Sequence, residues 1–84
     1  MGQPGNLDLA QVDAALPVLT VMINGRPVDV PAGTTVAGFI TGKGFTAEMV
    51  IVELNGVIVP RSDYAATEMR GGDQIEIVHA VGGG

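Results

Sequence analysis

The stretch Val50-Ile51-Val52-Glu53-Leu54-Asn55-Gly56-Val57-Ile58-Val59-Pro60 places β-branched residues on both sides of an Asn-Gly pair. Valine and isoleucine favour strands, and Asn-Gly between apolar runs is the strongest short signal for a two-residue type I′ hairpin. Pro60 ends the second strand because proline has no amide hydrogen to donate to a sheet. The stretch therefore predicts a hairpin with strands over Met49–Leu54 and Val57–Val59.

A second hairpin of the same kind lies nearer the N-terminus. The β-rich run Val18–Ile23 leads into Asn24-Gly25, and Arg26–Val30 is the predicted returning strand. The turn-forming residues Pro31-Ala32-Gly33 end that strand. We therefore expect two hairpins separated by about fifteen residues, in which one further element has room to form.

That intervening element is predicted to be a short helix. Thr34 or Thr35 can accept a hydrogen bond as the N-cap, and Val36, Phe39 and Ile40 follow at i, i+3 and i+4 on one face. Glycines within and just after this segment lower its helix propensity. We therefore expect a short helix that depends on packing against the sheet.

The remaining elements complete the order β-β-α-β-β-β. An irregular or single-turn segment over 62–69 carries Tyr64, Gly71-Gly72-Asp73 forms a turn, and Gln74–Ala80 is the last strand. This order is typical of a β-grasp domain, in which the last strand lies beside the first. The predicted fold class is α+β, with a mixed sheet of about five strands packed on one short helix.

The alternation of polar and apolar residues assigns the two faces of this sheet. If Glu53 points to water, its neighbours Val52 and Leu54 point to the core, and the same argument applies to the other strands. The residues predicted to point inward are Val50, Val52, Leu54, Ile58, Leu19, Val21, Ile23, Ile75 and Ile77.

The same assignment leaves apolar residues on the outer face of the sheet, away from the helix. An antiparallel sheet normally presents a polar face to water, so a group of apolar side chains there suggests a partner-docking surface. Two alternatives are scattered surface residues that need no partner, and residues 1–17 folding over this face. The residues of the predicted docking surface are Met22, Ile51, Val57, Val59, Val78 and Val81.

Composition excludes several kinds of protein. The 84 residues allow one domain, and the chain has no cysteine and a single histidine, so neither a cysteine-based site nor a protein-only histidine metal site can form. Four basic against nine acidic residues give a net charge of −5, which argues against nucleic-acid binding. No apolar run is long enough to span a bilayer, and the N-terminus lacks the pattern of a secretory signal.

The two ends of the chain differ from the middle. Residues 1–17 are predicted to be flexible or weakly helical, with Leu9, Val12 and Leu16 at helical spacing, and residues 18–80 form the β-grasp domain. Residues 81–84 are a flexible tail that ends in Gly82-Gly83-Gly84, directly after the last strand. Glycines have no Cβ, so such a thread can carry a terminal carboxylate into a narrow active site of another protein.

Taken together, residues 21–84 resemble the ThiS family of sulfur carriers of thiamine biosynthesis. The resemblance covers about three quarters of the chain, and no single block would suffice alone. The blocks that carry it are Ile23-Asn24-Gly25, Pro31-Ala32-Gly33-Thr34-Thr35-Val36, Val52-Glu53-Leu54-Asn55-Gly56, Ile58-Val59-Pro60-Arg61, Gly72-Asp73-Gln74-Ile75-Glu76-Ile77-Val78 and Val81-Gly82-Gly83-Gly84.

The resemblance implies a ubiquitin-like β-grasp fold and a carrier without an active site or bound cofactor. It implies that a ThiF-type, E1-like adenylyltransferase uses ATP to activate the carboxylate of Gly84, which becomes a thiocarboxylate. The implied partners are that enzyme, thiazole synthase and a sulfur donor such as a cysteine desulfurase. The free carrier is then expected to be a cytoplasmic monomer that binds neither nucleic acid nor membrane.

Four other functions remain open at this point. Residues 1–17 have no counterpart in the family, residues 37–49 are rich in glycine, and Val57 stands where a charged residue is expected. The small subunit of molybdopterin synthase and carriers for tRNA thiolation share the fold and the glycine end. A ubiquitin-like modifier joined to lysines through Gly84 and a plain binding module are alternatives of other classes.

Overall fold

Both Asn-Gly pairs form the tight turns that the sequence predicts. Asn24 and Gly25 have φ angles of 51° and 83°, and Asn55 and Gly56 have φ angles of 53° and 87°. A type I′ turn requires positive φ at both central residues, which asparagine tolerates and glycine adopts without strain.

The computed structural model describes residues 17–79. The predictions for the N-terminal extension up to residue 16 and for the tail, residues 81–84, therefore concern residues outside the described part of the chain.

Five strands form one mixed sheet in the order β2-β1-β5-β3-β4. β1 (Val18–Ile23) is antiparallel to β2 (Arg26–Pro31), and β3 (Val50–Leu54) is antiparallel to β4 (Val57–Ile58). β5 (Gln74–His79) lies in the centre, parallel to β1 and antiparallel to β3. The β-grasp order and the insertion of the last strand beside the first are thus confirmed.

A single α-helix, α1 (Val36–Gly42), packs on one face of the sheet. The side chain of Thr35 accepts a hydrogen bond of 3.0 Å from the backbone N–H of Gly38, which satisfies one of the unpaired donors of the first turn. Val36 and Ile40 of the predicted apolar face are buried, whereas Phe39 is only half-buried. The helix is as short as its glycine content predicts.

Two 3₁₀ helices, Ala47–Met49 and Arg61–Ala66, close the core next to α1. The guanidinium Nε of Arg61 donates to the carbonyl oxygen of Ala47 at 2.8 Å, so one 3₁₀ helix is tied to the other. Tyr64 is buried, and its hydroxyl donates to the carbonyl oxygen of Val50 at 3.3 Å. The segment over 62–69, predicted to be irregular or to form a single turn, thus contains most of a 3₁₀ helix, and its Tyr64 covers one side of the core.

The core contains one residue or more from nearly every element. The buried side chains are Val21, Val30, Val36, Ile40, Val50, Val52, Val59, Tyr64, Met69 and Ile75. The predicted inward positions Leu19, Ile23, Leu54 and Ile77 are half-buried and pack against this cluster. The face assignment is thus confirmed for β1, β3 and β5.

The assignment is wrong for β4. Ile58, predicted to point inward, is 61% exposed, and Val59, predicted to lie on the outer face, is only 8% exposed. The two-residue turn pairs Leu54 with Val57, and directly paired residues point to the same face of a sheet. Val57 therefore lies on the helix side of the edge strand, although it is exposed, and Ile58 takes the outer position opposite Glu53.

Candidate functional site: the end of β5 and the two faces beside it

The predicted working end of the chain follows directly on the central strand of the sheet. β5 ends at His79, and Gly82, Gly83 and Gly84 follow within five residues, outside the described part of the chain. β1 and β3 flank β5. β3 pairs with β5 from Ile75 to His79, whereas β1 pairs only with Gln74 and Ile75, at the start of β5. The end of the strand that leads to the tail is therefore held in the sheet by β3.

The side chain of Asn24 extends the pairing of β1 with β5 beyond the end of β1. Its carboxamide oxygen accepts from the backbone N–H of Ile77 at 2.7 Å, and its nitrogen donates to the carbonyl oxygen of Ile77 at 3.1 Å. The backbone N–H of Asn24 donates to Ile75 at 2.8 Å. One asparagine thus forms the hairpin turn and also holds β5 two residues before His79.

Asn55 of the second turn makes similar contacts at the other end of β5. Its side-chain oxygen accepts from the backbone N–H of Gln74 at 2.9 Å, and its nitrogen donates to a carboxylate oxygen of Asp73 at 3.1 Å. The Asn-Gly pattern predicts only a turn at each of the two asparagines. It predicts the conformation of that turn but not the distant strand that the asparagine side chain contacts. The hydrogen bonds of the two side chains therefore could not be predicted from the sequence.

On the outer face, Ile51 and Val78 form the most exposed part of the predicted docking surface. They are a direct cross-strand pair of β3 and β5, and 42% and 55% of their surfaces are exposed. Met22 lies on the same face but is paired with Gln74, four residues from Val78 along β5, which is roughly 13 Å. The structure therefore brings Ile51 and Val78 together and leaves Met22 apart from them.

The other members of the predicted surface lie elsewhere. Val59 is in the core, and Val57 is on the helix side of the edge strand. Val81 lies outside the described residues. The exposed Ile58 joins the outer face opposite Glu53, a position that the sequence pattern does not indicate because the run Val57–Val59 contains no polar residue.

Two carboxylates stand beside the apolar pair. Glu53 and Glu76 are directly opposite each other on β3 and β5, one row along from Ile51 and Val78 on the same face. Like charges at directly opposed positions destabilise a sheet. The free sheet thus carries an unfavourable acidic pair next to an exposed apolar pair. We name these four residues, Ile51, Val78, Glu53 and Glu76, the outer patch.

A groove of about 600 Å³ opens on the opposite side of the sheet, between the ends of β1, β2 and β5 and the C-terminal half of α1. The rings of Phe45 and His79 meet edge to face with centroids 4.7 Å apart, and the ammonium group of Lys43 lies 5.4 Å from the centre of the Phe39 ring. The last described residue before the tail, His79, thus lines this groove. Sequence patterns gave no sign of the groove, because its walls come from elements distant in the chain.

Comparison with known proteins places the chain in a family. The model of the ThiS family matches residues 20–84, which include the three terminal glycines. This chain belongs to the ThiS family. The crystal structure of the thiamine biosynthesis protein ThiS from Geobacter metallireducens is similar to it, with 33% sequence identity and a TM-score of 0.65 over 79% of this chain and 100% of that one.

Relatives of this ThiS-family chain are also found among larger proteins. It is 44% identical over 66 residues to a thiazole synthase of Magnetococcus marinus and 38% identical to one of Paramagnetospirillum magneticum. In both cases the match covers 79% of this chain and 20% of the relative. The chain thus spans about one fifth of the length of these relatives.

Two further findings concern the part of the chain that the structure describes. Within residues 17–79, no helix is long and apolar enough to cross a membrane. Over the same residues, no three histidine, aspartate or glutamate side chains come together as metal ligands.

Proposed function

We propose that this ThiS-family protein is a sulfur carrier for the thiazole of thiamine, and that its working group is the carboxylate of Gly84. The observation that carries the proposal is that the family match runs through the terminal glycines, which follow within five residues of the central strand of the sheet. A fixed strand followed by a slender glycine thread is suited to inserting one terminal group into the active site of another protein.

The chemistry requires two displacement steps at that carboxylate. A carboxylate oxygen of Gly84 attacks the α-phosphorus of ATP, pyrophosphate leaves, and an acyl-adenylate forms. A sulfur nucleophile such as hydrosulfide then attacks the acyl carbon, AMP leaves, and a thiocarboxylate remains. ATP and the catalytic groups belong to a ThiF-type adenylyltransferase, so the carrier itself is a co-substrate with no bound cofactor.

The proposed acceptor of the sulfur is thiazole synthase. Two relatives that carry a region similar to this chain are themselves named thiazole synthases, which supports a functional link between carrier and synthase. In vivo, a cysteine desulfurase is the proposed source of the sulfur, and the cytoplasm is the proposed compartment. Molybdopterin synthesis, tRNA thiolation and conjugation to protein lysines are the alternative fates of an activated Gly84.

The outer patch is the proposed docking surface for the ThiF-type enzyme. Val78 is six residues from Gly84, so an enzyme bound at the patch has the tail within a reach of roughly 20 Å. We expect a basic group on that enzyme to lie opposite Glu53 and Glu76, because a cation between the two carboxylates relieves their repulsion on the free sheet. The partner surface is therefore expected to be apolar with a basic residue beside it.

ATP–pyrophosphate exchange with the cognate ThiF-type enzyme tests this proposal. The full chain should support exchange, and a variant that lacks Gly84 should not, although both bind the enzyme through the outer patch. Exchange that is equal for both chains would contradict activation at Gly84. If activation succeeds, incubation with each candidate acceptor then identifies the pathway, because only the true acceptor consumes the thiocarboxylate.

A further inference from the structure

The groove on the helix side has an apolar floor that remains partly open to solvent. Five half-buried apolar residues from β1, β2, α1, β5 and the loop after α1 line it, and each also packs against the core. They are Ile23, Val28, Phe39, Phe45 and Ile77. The core thus holds the floor in place, and the floor offers apolar contact area to another molecule.

The charged and ionisable side chains around this floor are basic. Arg26, Lys43 and His79 line the groove, and none of the described residues that line it is a carboxylate. Arg26 and Lys43 are two of only four lysine and arginine residues in a chain with a net charge of −5. The ammonium group of Lys43 lies over the Phe39 ring, so one positive charge is placed above the floor itself. The groove therefore fits a molecule that is both apolar and acidic.

The open edge of β2 beside this groove is poorly suited to an added strand. The N–H and C=O groups of an antiparallel strand point alternately toward and away from the paired strand. The N–H of Ala32 donates to the carbonyl oxygen of Pro17 at 2.9 Å and therefore points toward β1. By alternation, the residues that face the open edge are Pro27, Asp29 and Pro31. Proline has no N–H, so an extended peptide would find a single donor there, that of Asp29.

A helix meets this restriction better than an extended peptide does. The backbone donors and acceptors of an α-helix are already paired within the helix, so it needs no donors from the edge of β2. One face of a helix presents apolar residues at i, i+3 and i+4 to the floor, and an acidic residue beside them meets Lys43 or Arg26. The lining and the closed edge together therefore define the occupant as an acidic amphipathic helix.

The groove and the outer patch lie on opposite faces of the same strand end and differ in charge. Val78 belongs to the outer patch with Glu53 and Glu76, whereas the next residue, His79, lines the groove. A partner surface that is attracted to one face is repelled by the other, so the two faces select different partners. His79 is five residues from Gly84, so a protein bound in the groove has the tail within a reach of roughly 17 Å.

We propose that the helix-side groove binds an acidic amphipathic helix of the thiazole synthase that accepts the sulfur. The identity of this partner rests on the proposed function, in which the carrier meets an activating enzyme at the outer patch and then an acceptor. Two relatives named thiazole synthase include a region similar to this chain, which supports contact between the two kinds of domain. Because the two docking sites are on opposite faces, neither enzyme covers the site of the other.

Isothermal titration calorimetry of the full chain with its cognate thiazole synthase tests the proposal. Lys43→Glu and Arg26→Glu should each weaken binding by about tenfold or more, because each replaces an attraction by a repulsion. Arg70→Glu is the matched control, since Arg70 is exposed and does not line the groove, and it should change the affinity by less than about twofold. Urea unfolding checks that all three variants are folded. An affinity of folded Lys43→Glu and Arg26→Glu equal to that of the parent would overturn the proposal.

Nuclear magnetic resonance of the isotopically enriched chain shows where and how the synthase binds. The amide signals of Phe45 and His79 should shift or broaden when the synthase is added. Hydrogen exchange at the N–H of Asp29 should keep the rate of the free chain, because a bound helix makes no backbone pairing with β2. Slower exchange at Asp29 would mean that the synthase adds a strand to the edge, which contradicts the proposed helix.

Other results would assign the groove to a different occupant and overturn the proposal. Loss of ATP–pyrophosphate exchange in Lys43→Glu would assign it to the ThiF-type enzyme. A dimer of the chain alone that Lys43→Glu dissociates, measured by sedimentation, would assign it to a second copy. Weaker synthase binding by Ile51→Asp, with parental binding by Lys43→Glu, would place the synthase on the outer patch.

The same reactions separate failure of this inference from failure of the proposed function. If the parent is activated at Gly84 and its thiocarboxylate is consumed by the synthase, groove variants that bind like the parent reject the groove alone. A parent that is activated but is neither bound nor consumed by the synthase rejects the proposed acceptor, and with it this inference.

Discussion

Ile51 and Val78 face each other directly across β3 and β5, and both side chains are largely open to solvent. Val78 is also the penultimate residue of the strand that leads to the terminal glycines. An apolar contact site and the root of the tail are therefore parts of one rigid strand. A partner that binds Ile51 and Val78 receives the tail from a defined position, which lowers the entropy lost in bringing Gly84 to an active site.

The first prediction concerns this apolar pair. Ile51→Asp and Val78→Asp should each weaken binding to the ThiF-type enzyme by about tenfold or more, because each removes apolar contact area and places a charge in the interface. Isothermal titration calorimetry measures the affinity. Val57→Asp is the matched control, since Val57 is 68% exposed but lies on the other side of the edge strand. Equal losses of affinity for Val57→Asp and Ile51→Asp would reject the assigned surface.

The acidic pair leads to a prediction in which stability and binding change in opposite directions. Glu76→Gln removes the repulsion with Glu53, so the free energy of unfolding should rise by about 0.2–1 kcal/mol. The same change should slow association with the ThiF-type enzyme and reduce its dependence on salt. Urea unfolding and stopped-flow association measure the two effects. A variant that becomes more stable and binds as fast as the parent would show that the carboxylates have no role in docking.

The buried position of Val59 gives the third prediction. Val59→Asp should lower the free energy of unfolding by about 3 kcal/mol or more, because the carboxylate would enter the core without a partner. Ile58→Asp, one residue earlier, should change it by less than about 0.5 kcal/mol, because Ile58 is exposed. Urea unfolding of both variants checks the contrast. The reverse order of stabilities would mean that β4 has the opposite register.

The case of β4 shows where sequence reasoning about this fold succeeds and fails. The Asn-Gly turns, the strand order and the core positions of β1, β3 and β5 could be predicted, because each depends on local turn chemistry or on a clear polar alternation. In β4 the run Val57–Val59 has no polar residue to mark a face. Only the pairing of Leu54 with Val57 across the turn determines its direction.

The candidate site also has some features that could be predicted from local sequence patterns and others that could not. The glycine tail and the pair Ile51 and Val78 could be found from the sequence, since the tail is a local motif and the pair follows from alternation. The contact between Asn24 and Ile77 and the basic groove could not, because both join residues far apart in the chain. Both features depend on tertiary packing, which a local sequence pattern does not predict.

Asn24 provides the fourth prediction. Asn24→Gly keeps a residue suited to positive φ but removes both side-chain hydrogen bonds to Ile77, so the free energy of unfolding should fall by about 1–3 kcal/mol. Amide exchange at Ile77 should accelerate more than exchange at Val52. The conservative variant Asn24→Asp keeps the acceptor for the N–H of Ile77 and should recover part of the protection. Unchanged exchange at Ile77 in Asn24→Gly would show that the end of β5 does not depend on this side chain.

The central claim is that the carboxylate of Gly84 becomes a thiocarboxylate, and the intact mass of the chain tests it most directly. After incubation with the cognate ThiF-type enzyme, ATP and sulfide, the mass should rise by the difference between one sulfur and one oxygen atom. A fragment spectrum should place that change on Gly84. An unchanged mass, in a reaction where the same enzyme modifies an established ThiS carrier, would contradict the account, and so would an increase located on any other residue.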